Sequence, residues 1–189
     1  MKTKMEVVAV LGSRNRKGQT AQAVDACLKG FKQANAGVES SFLPIQTIER
    51  CRQCEDSGWG LCRAEGRCII DDDFALIVDS ISQADIIIFA TPVYFSNLSE
   101  SFRAFLDRLC RICTHPSSKV LIEKKAAIGI CVAGCGGGGA AACSVSLEEV
   151  LSICGFNLLD VIGVRRQNLK MKQIILQTTG EWIASGKLS

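Results

Sequence analysis

The sequence contains a single histidine, His115, beside Pro116 in what reads as a surface loop. No Ser–His–Asp or Cys–His–Asp constellation can be assembled from it, which excludes the usual activated nucleophiles. A dominant charge of one sign is also missing. The 22 basic and 19 acidic residues leave a net +3, too weak a bias to make nucleic acid or an anionic membrane the main partner. No apolar run approaches the ~18 residues that span a bilayer. Lys2 and Lys4 precede an apolar run over residues 5–11, but that run contains Glu6 and lacks a small-residue cleavage site. It reads as a first strand rather than a targeting segment, and the expected location is the cytoplasm. Internal repeats and low-complexity linkers are absent as well.

What is present suits one domain over residues 1–189, with 48% hydrophobic residues to bury. The eleven cysteines are an odd number in a chain without an export signal, so a disulfide framework is not expected. Cys27, Cys110, Cys131 and Cys154 lie in apolar stretches and read as small core residues. The others remain candidates for free thiols or metal ligands.

Four continuous apolar runs, residues 7–11, 86–90, 126–132 and 158–164, are rich in β-branched side chains. Runs apolar on both faces suit central strands of a parallel sheet. Residues 38–43 are more polar and predict an edge strand. Between the runs lie helical stripes: Val24, Cys27, Leu28 and Phe31; Phe74, Ile77, Val78 and Ile81, with Asp71, Asp72 and Asp73 as N-cap candidates; Leu98, Phe102, Phe105, Leu106 and Leu109; Leu147, Val150, Leu151 and Cys154, stopped by Gly155. Met171, Ile174, Ile175, Thr178 and Trp182 predict a C-terminal helix. Five alternations of strand and helix predict a doubly wound α/β fold with strand order 2-1-3-4-5. One irregular insert, residues 44–70, interrupts the pattern.

Three loops follow strands and therefore share the carboxyl edge of the sheet. The first, residues 12–20, opens a helix, where free N–H groups and the helix dipole favour an anion. Ser13 and Thr20 add hydroxyl donors, and Arg14 and Arg16 add charge suited to a phosphate. No Lys precedes the threonine, so it is not a Walker A loop. The second loop, residues 91–97, carries Pro92, Tyr94 and Phe95, against which a planar ring could pack. The third, residues 133–140, is glycine-rich and lets backbone approach a ligand closely. In a 2-1-3-4-5 sheet the first two loops flank the switch point where ligands bind. Phosphate donors, aromatics and close-approach glycines together meet the needs of FMN.

The motifs Gly12-Ser-Arg-Asn-Arg-Lys-Gly-Gln-Thr20, Thr91-Pro-Val-Tyr94 and Phe105-Leu-Asp-Arg108 resemble those of the NADPH-dependent FMN reductases, particularly their iron–sulfur flavoprotein branch. The resemblance implies a flavodoxin-like fold, bound FMN, and electrons from NAD(P)H passed to a quinone, a flavin or another acceptor. An electron carrier exchanging with ferredoxin-like proteins is the alternative. It further implies a phosphate held by Ser13, Arg14, Arg16, Gln19 and Thr20. Thr91, Pro92, Val93, Tyr94 and Phe95, with Gly134, Cys135, Gly136 and Gly137, would frame the isoalloxazine ring. Asp107 and Arg108 would organise structure or an interface, and the assembly would be a homodimer or tetramer.

The insert reads Cys51-x2-Cys54-x7-Cys62-x5-Cys68. A C-x2-C pair is a chelating start for zinc or for an iron–sulfur cluster. The iron–sulfur branch carries a compact four-cysteine run in this region, and its second gap is shorter than the x7 found here. A 4Fe–4S cluster, zinc and bare thiols all remain open for these four residues. Trp59 would shield such a centre or cap the insert.

Overall fold

A computed structural model describes residues 4–186. Five parallel strands form one sheet in the order β2-β1-β3-β4-β5: β1 (Glu6–Leu11), β2 (Gly37–Phe42), β3 (Ile86–Pro92), β4 (Ala126–Ala133) and β5 (Asn157–Arg165). The helices are α1 (Gln19–Gln33), α2 (Leu61–Ala64), α3 (Phe74–Gln83), α4 (Glu100–Ile112), α5 (Pro116–Ile122), α6 (Ala140–Cys154) and α7 (Leu169–Ala184). The expected strand order is the observed one. β1 and β3 lie at its centre and are almost wholly buried, as their β-branched runs require.

The two faces of the sheet bury separate cores. Val8, Val10, Ile87 and Phe89 meet α3, α4 and α6 on one face. Val7, Ala9, Leu11 and Ile88 meet α1 and α7 on the other. The apolar run at residues 158–164 suits a central strand by composition, but β5 is the sheet's edge, where the expected order puts it. Only Ile162 and Val164 are buried there, and Leu158, Leu159 and Val161 stay half-exposed because no strand follows to cover them. β2 is the other edge, as its polar residues predict. Pro44 then turns the chain away in a short 3-10 helix, Leu43–Ile45.

The stripe expected to bury α7 faces outward instead. Met171, Ile174, Ile175 and Trp182 are exposed, and the buried residues are Leu176, Gly180 and Ile183. The reason is a backbone-to-backbone crossing of α7 on α1. A Cβ on Gly30 would collide with the Gln177 carbonyl, and one on Gly180 with the Cys27 carbonyl. We expect Gly30→Ala or Gly180→Ala to cost about 1–3 kcal/mol by overpacking, read as an earlier urea midpoint; an unchanged midpoint would contradict this crossing.

α2 and α5 were not foreseen. α5 starts at Pro116, and the His115 ring, expected in a plain loop, accepts the Ser117 N–H at its N-terminus. No helix among the described residues is long and apolar enough to cross a membrane.

Candidate functional site

The loops after β1, β3 and β4 meet in a cleft of about 290 Å3. Ser13, Gln19 and Thr20 line one end. Pro92, Val93 and Tyr94 line a second wall, and Gly134, Cys135, Gly136 and Gly137 a third. Ten of the fourteen residues expected to hold FMN thus share one cavity. Arg14, Arg16, Thr91 and Phe95 do not line it.

At the Ser13 end the loop is shaped by its own backbone. Asn15 accepts the Lys17 N–H with its side chain and the Gly18 N–H with its carbonyl. This delivers the chain to Gly18, the N-cap of α1, with no side-chain cap and no acidic residue in the first turn. The first-turn N–H groups lack intrahelical acceptors and carry the positive end of the dipole, which suits an anion. Thr20 is buried at the cavity wall. Arg14 and Arg16 are exposed, and Arg16 lies 5.2 Å from the centre of the Phe42 ring. Their charge reaches the cleft as potential rather than by contact.

Thr91 has a structural task. Fully buried, its Oγ1 accepts the Ser99 N–H at 3.0 Å, and the Ser99 hydroxyl donates to the Gly12 carbonyl at 2.9 Å. Those bonds pin the first and second loops together beneath the cleft. Beyond Thr91 the chain makes a tight turn closed by reciprocal Tyr94 and Asn97 backbone bonds. Both central residues, Phe95 and Ser96, have positive φ, at 51° and 63°. Two successive non-glycine residues there store strain of roughly 1–2 kcal/mol each. Ser96 rests against Gly139, where any side chain would clash. Phe95 points wholly into solvent at the rim of the cleft (relative exposure 105%).

The glycine loop leaves the cleft open. A Cβ on Gly136 or Gly138 would meet nothing within 4 Å, and one on Gly134 would touch only Gln19. The Gly136 carbonyl accepts a bond from Gln167 Nε2 at 3.0 Å. Val132, Ala133 and Gly138 also line the cleft, and Ser99 and Gln167 brace its loops; the sequence reading singled out none of them as a binding residue, though Ala133 and Gly138 lie in the loop it identified. Gln167 follows β5, whose carboxyl end lies on the same sheet edge, and that position was the available signal.

A second cavity lies in the insert. Cys51, Cys54, Cys62 and Cys68 all line it, with Arg108 and Arg111 of α4. It is narrow, about 20 Å3, little more than one water. Gln53 and Glu55, flanking Cys54, have φ of 51° and 59°, and Gly60 leaves room for Cys54 where a side chain would press on its Cβ. Among the described residues, no three Cys, His, Asp or Glu side chains gather as ligands of a single ion. The expected four ligands therefore share a cavity without forming a one-ion site.

Two arginines tie the insert to α4. Arg111 donates to the Gly58 carbonyl at 2.7 Å and lies 4.6 Å from the Trp59 ring centre, so Trp59 caps the insert. Arg108 makes a two-pronged pair with Asp72 at 2.6 and 2.9 Å, and also donates to the Glu49 carbonyl at 3.0 Å. Both side chains are almost fully buried (1% and 2% exposed). Burial alone would raise the Asp72 pKa, but Arg108 and the Glu49 and Phe74 N–H groups outweigh it and hold the carboxyl below its ordinary value. Asp107, the other half of the expected pair, is exposed. Elsewhere Cys27, Cys131 and Cys154 are core residues as expected, while Cys110 is only partly buried; burial pushes the Cys27 thiol up to about 12.

A doubly wound parallel sheet with its cleft at the β1/β3 switch point defines the flavodoxin-like class. Residues 5–170 match the NADPH-dependent FMN reductase family, and the chain belongs to it. An iron–sulfur flavoprotein of Archaeoglobus fulgidus is 30% identical over 115 residues, covering 61% of this chain and 50% of that protein. One from Methanocaldococcus jannaschii is 30% identical over 135 residues, covering 71% and 65%. A Bacillus subtilis protein described as a putative NAD(P)H-dependent FMN-containing oxidoreductase is 28% identical, covering 59% and 56%. The chain spans about half the length of most of the curated relatives it matches. The fold is shared with an NAD(P)H:quinone oxidoreductase from Methanothermobacter marburgensis, at TM-score 0.66, 18% identity and 96% coverage of both chains. It is also shared with an archaeal flavodoxin, at TM-score 0.55, 13% identity and coverage of 94% and 99%.

Proposed function

We propose that the chain is an FMN-dependent oxidoreductase that takes electrons from NAD(P)H and passes them to a quinone, a flavin or another small acceptor. The observation that carries this reading is the cleft itself, where an uncapped helix N-terminus, a tyrosine-bearing wall and an open glycine loop meet. FMN supplies the redox chemistry when bound; the protein binds, orients and tunes it. Ser13, Thr20 and the first-turn N–H groups of α1 would hold the phosphate. Val93 and Tyr94 would flank the ring, and the Gly134–Gly137 backbone would lie against its edge without side chains in the way. That open side leaves room for a nicotinamide, and no side chain is required to move a proton.

FMN-loaded protein mixed anaerobically with NADH or NADPH should lose its flavin absorbance within minutes and regain it on adding quinone or free flavin. If neither nicotinamide bleaches the flavin while reduced ferredoxin does, the chain is an electron carrier instead.

A second reading, that the insert carries a 4Fe–4S cluster, is favoured by one observation. Arg108 lines the four-cysteine cavity, and its Nε is buried with no acceptor among the described residues. A cluster held by thiolates is anionic and would meet that cation. The names of the Archaeoglobus and Methanocaldococcus relatives point the same way. A cuboidal cluster takes one thiolate at each of four irons, so it does not ask the thiols to converge on one ion. Zinc does, with Zn–S bonds of about 2.3 Å, and the arrangement of the thiols favours it less. The narrow cavity means that loading would have to spread the segment carrying Cys51, Cys54 and Cys62.

A further inference from the structure

Cys110 of α4 and Cys154, the last residue of α6, bring their sulfurs within 2.9 Å of each other. A disulfide bond is about 2.05 Å long, so closing one here asks for a movement of only about 0.9 Å. The two thiols differ in access. Cys154 is fully buried, whereas Cys110 is partly exposed. The Cys110 S–H is directed at the Val150 carbonyl, 3.8 Å away and one turn before Cys154 on α6, which leaves the Cys154 S–H to donate to Cys110. That donor holds the Cys110 thiol below its ordinary pKa, against the opposing pulls of burial and of the Asp107 charge. Since the thiolate is the nucleophile, Cys110 is the attacking sulfur of the pair and Cys154 the one behind it. Cys113 also bonds to Cys154, but it is buried.

We propose that Cys110 and Cys154 form a peroxide-reactive dithiol that closes to a reversible disulfide between α4 and α6. A hydroperoxide is the oxidant. The Cys110 thiolate attacks its terminal oxygen, the O–O bond breaks, the departing oxygen takes up a proton, and Cys110 becomes a sulfenic acid. The Cys154 sulfur then attacks the Cys110 sulfur. Its proton leaves with the displaced hydroxide as water, and the S–S bond forms. The pair has lost two electrons and two protons, and the peroxide has gained them as an alcohol, or water, and a second water. A small thiol reverses the step. It attacks the accessible Cys110 sulfur and releases Cys154, and a second equivalent then frees Cys110. A single transient bridge of this kind suits a reducing compartment, where a disulfide framework does not. α4 and α6 begin after the second and third cleft loops, so their far ends lie at the opposite edge of the sheet. The step therefore needs neither FMN nor the insert.

The test uses the full chain, purified under a small thiol that is then removed, and treated with hydrogen peroxide. Cys135 and the four insert thiols are open to solvent as well. The readout is therefore which peptides become joined, by mass spectrometry after alkylation and digestion, and not a count of thiols. In most chains the Cys110 peptide should be joined to the Cys154 peptide, lighter by two hydrogens, and separated again by added thiol. Cys154→Ala should leave Cys110 as a sulfenic acid that dimedone captures, whereas Cys110→Ser should leave buried Cys154 unlabelled. Cys131 and Cys143 also share a thiol–thiol hydrogen bond, but both are fully buried, so that pair should stay reduced. Cys110 and Cys154 both still reduced, in wild type whose Cys135 has been oxidised, overturns the proposal. So does a Cys113–Cys154 bridge in place of the expected one, or a Cys131–Cys143 bridge formed as readily. These wild-type results stand even where a variant does not fold.

Discussion

Replacing Asp72 with Asn should destabilise the protein by about 3–5 kcal/mol, the range for removing one partner of a buried ion pair. That is a large share of the roughly 5–15 kcal/mol that holds a domain folded. The magnitude follows from what the change strands. Asp72 and Arg108 have almost no contact with water, and the carboxylate also accepts the Glu49 and Phe74 N–H groups. An amide cannot balance the Arg108 charge, which water cannot reach. The pair should also be visible in acid. The Asp72 pKa is lower folded than unfolded, so its stabilisation is complete above the unfolded value near 3.9 and disappears as pH falls through the folded one. Urea unfolding at pH 7 and at pH 3 should therefore show a smaller gap between wild type and Asp72→Asn at the lower pH. A loss below about 1 kcal/mol at pH 7 would mean that the insert is not held by this pair.

The central strands were readable because burial on both faces leaves an unbroken β-branched run, as in Ile86, Ile87 and Ile88. The same rule overstated the burial of β5, which the expected strand order already put at the edge. An edge strand covered on one side by α6 can be as apolar in composition as a central one, and composition does not say what lies beyond it. α7 was found from its apolar spacing, yet the spacing marked the wrong face. The contact with α1 is made by Gly30 and Gly180, whose close approach is a property of two backbones together and leaves no apolar signature. The aspartates before α3 were read as caps. Asp73 does occupy the N-cap, but its carboxylate accepts the Thr47 N–H rather than one from its own helix.

At the cleft the sequence located loops better than side-chain directions. Ser13, Gln19, Thr20 and the glycines followed from strand ends and a helix start, which fix where backbone must go. Thr91 and Phe95 depended on a turn whose two positive-φ residues are neither glycine nor asparagine, so nothing in the residue types announced that Thr91 would turn inward and Phe95 outward. In the insert, spacing indicated four thiols, but the arginines that line the same cavity come from α4, the first of them 40 residues after Cys68.

Thr20 gives the second large effect. Thr20 is a buried residue on the wall of the cleft, at the helix start where the phosphate would sit, and valine fills the same volume without a donor. Thr20→Val should weaken FMN binding by about 1–3 kcal/mol, the range for a bond to a charged group, roughly 5- to 150-fold in Kd. The fold should be unaffected, because the methyl contacts remain. The most direct measurement is a titration of the flavin-free protein with FMN and, in parallel, with riboflavin, which differs only by the phosphate. If the phosphate lies at the N-terminus of α1, FMN binds far more tightly than riboflavin, and Thr20→Val narrows the gap by weakening FMN alone. Equal affinity for the two flavins, or no binding of either, would contradict the assignment of this cleft.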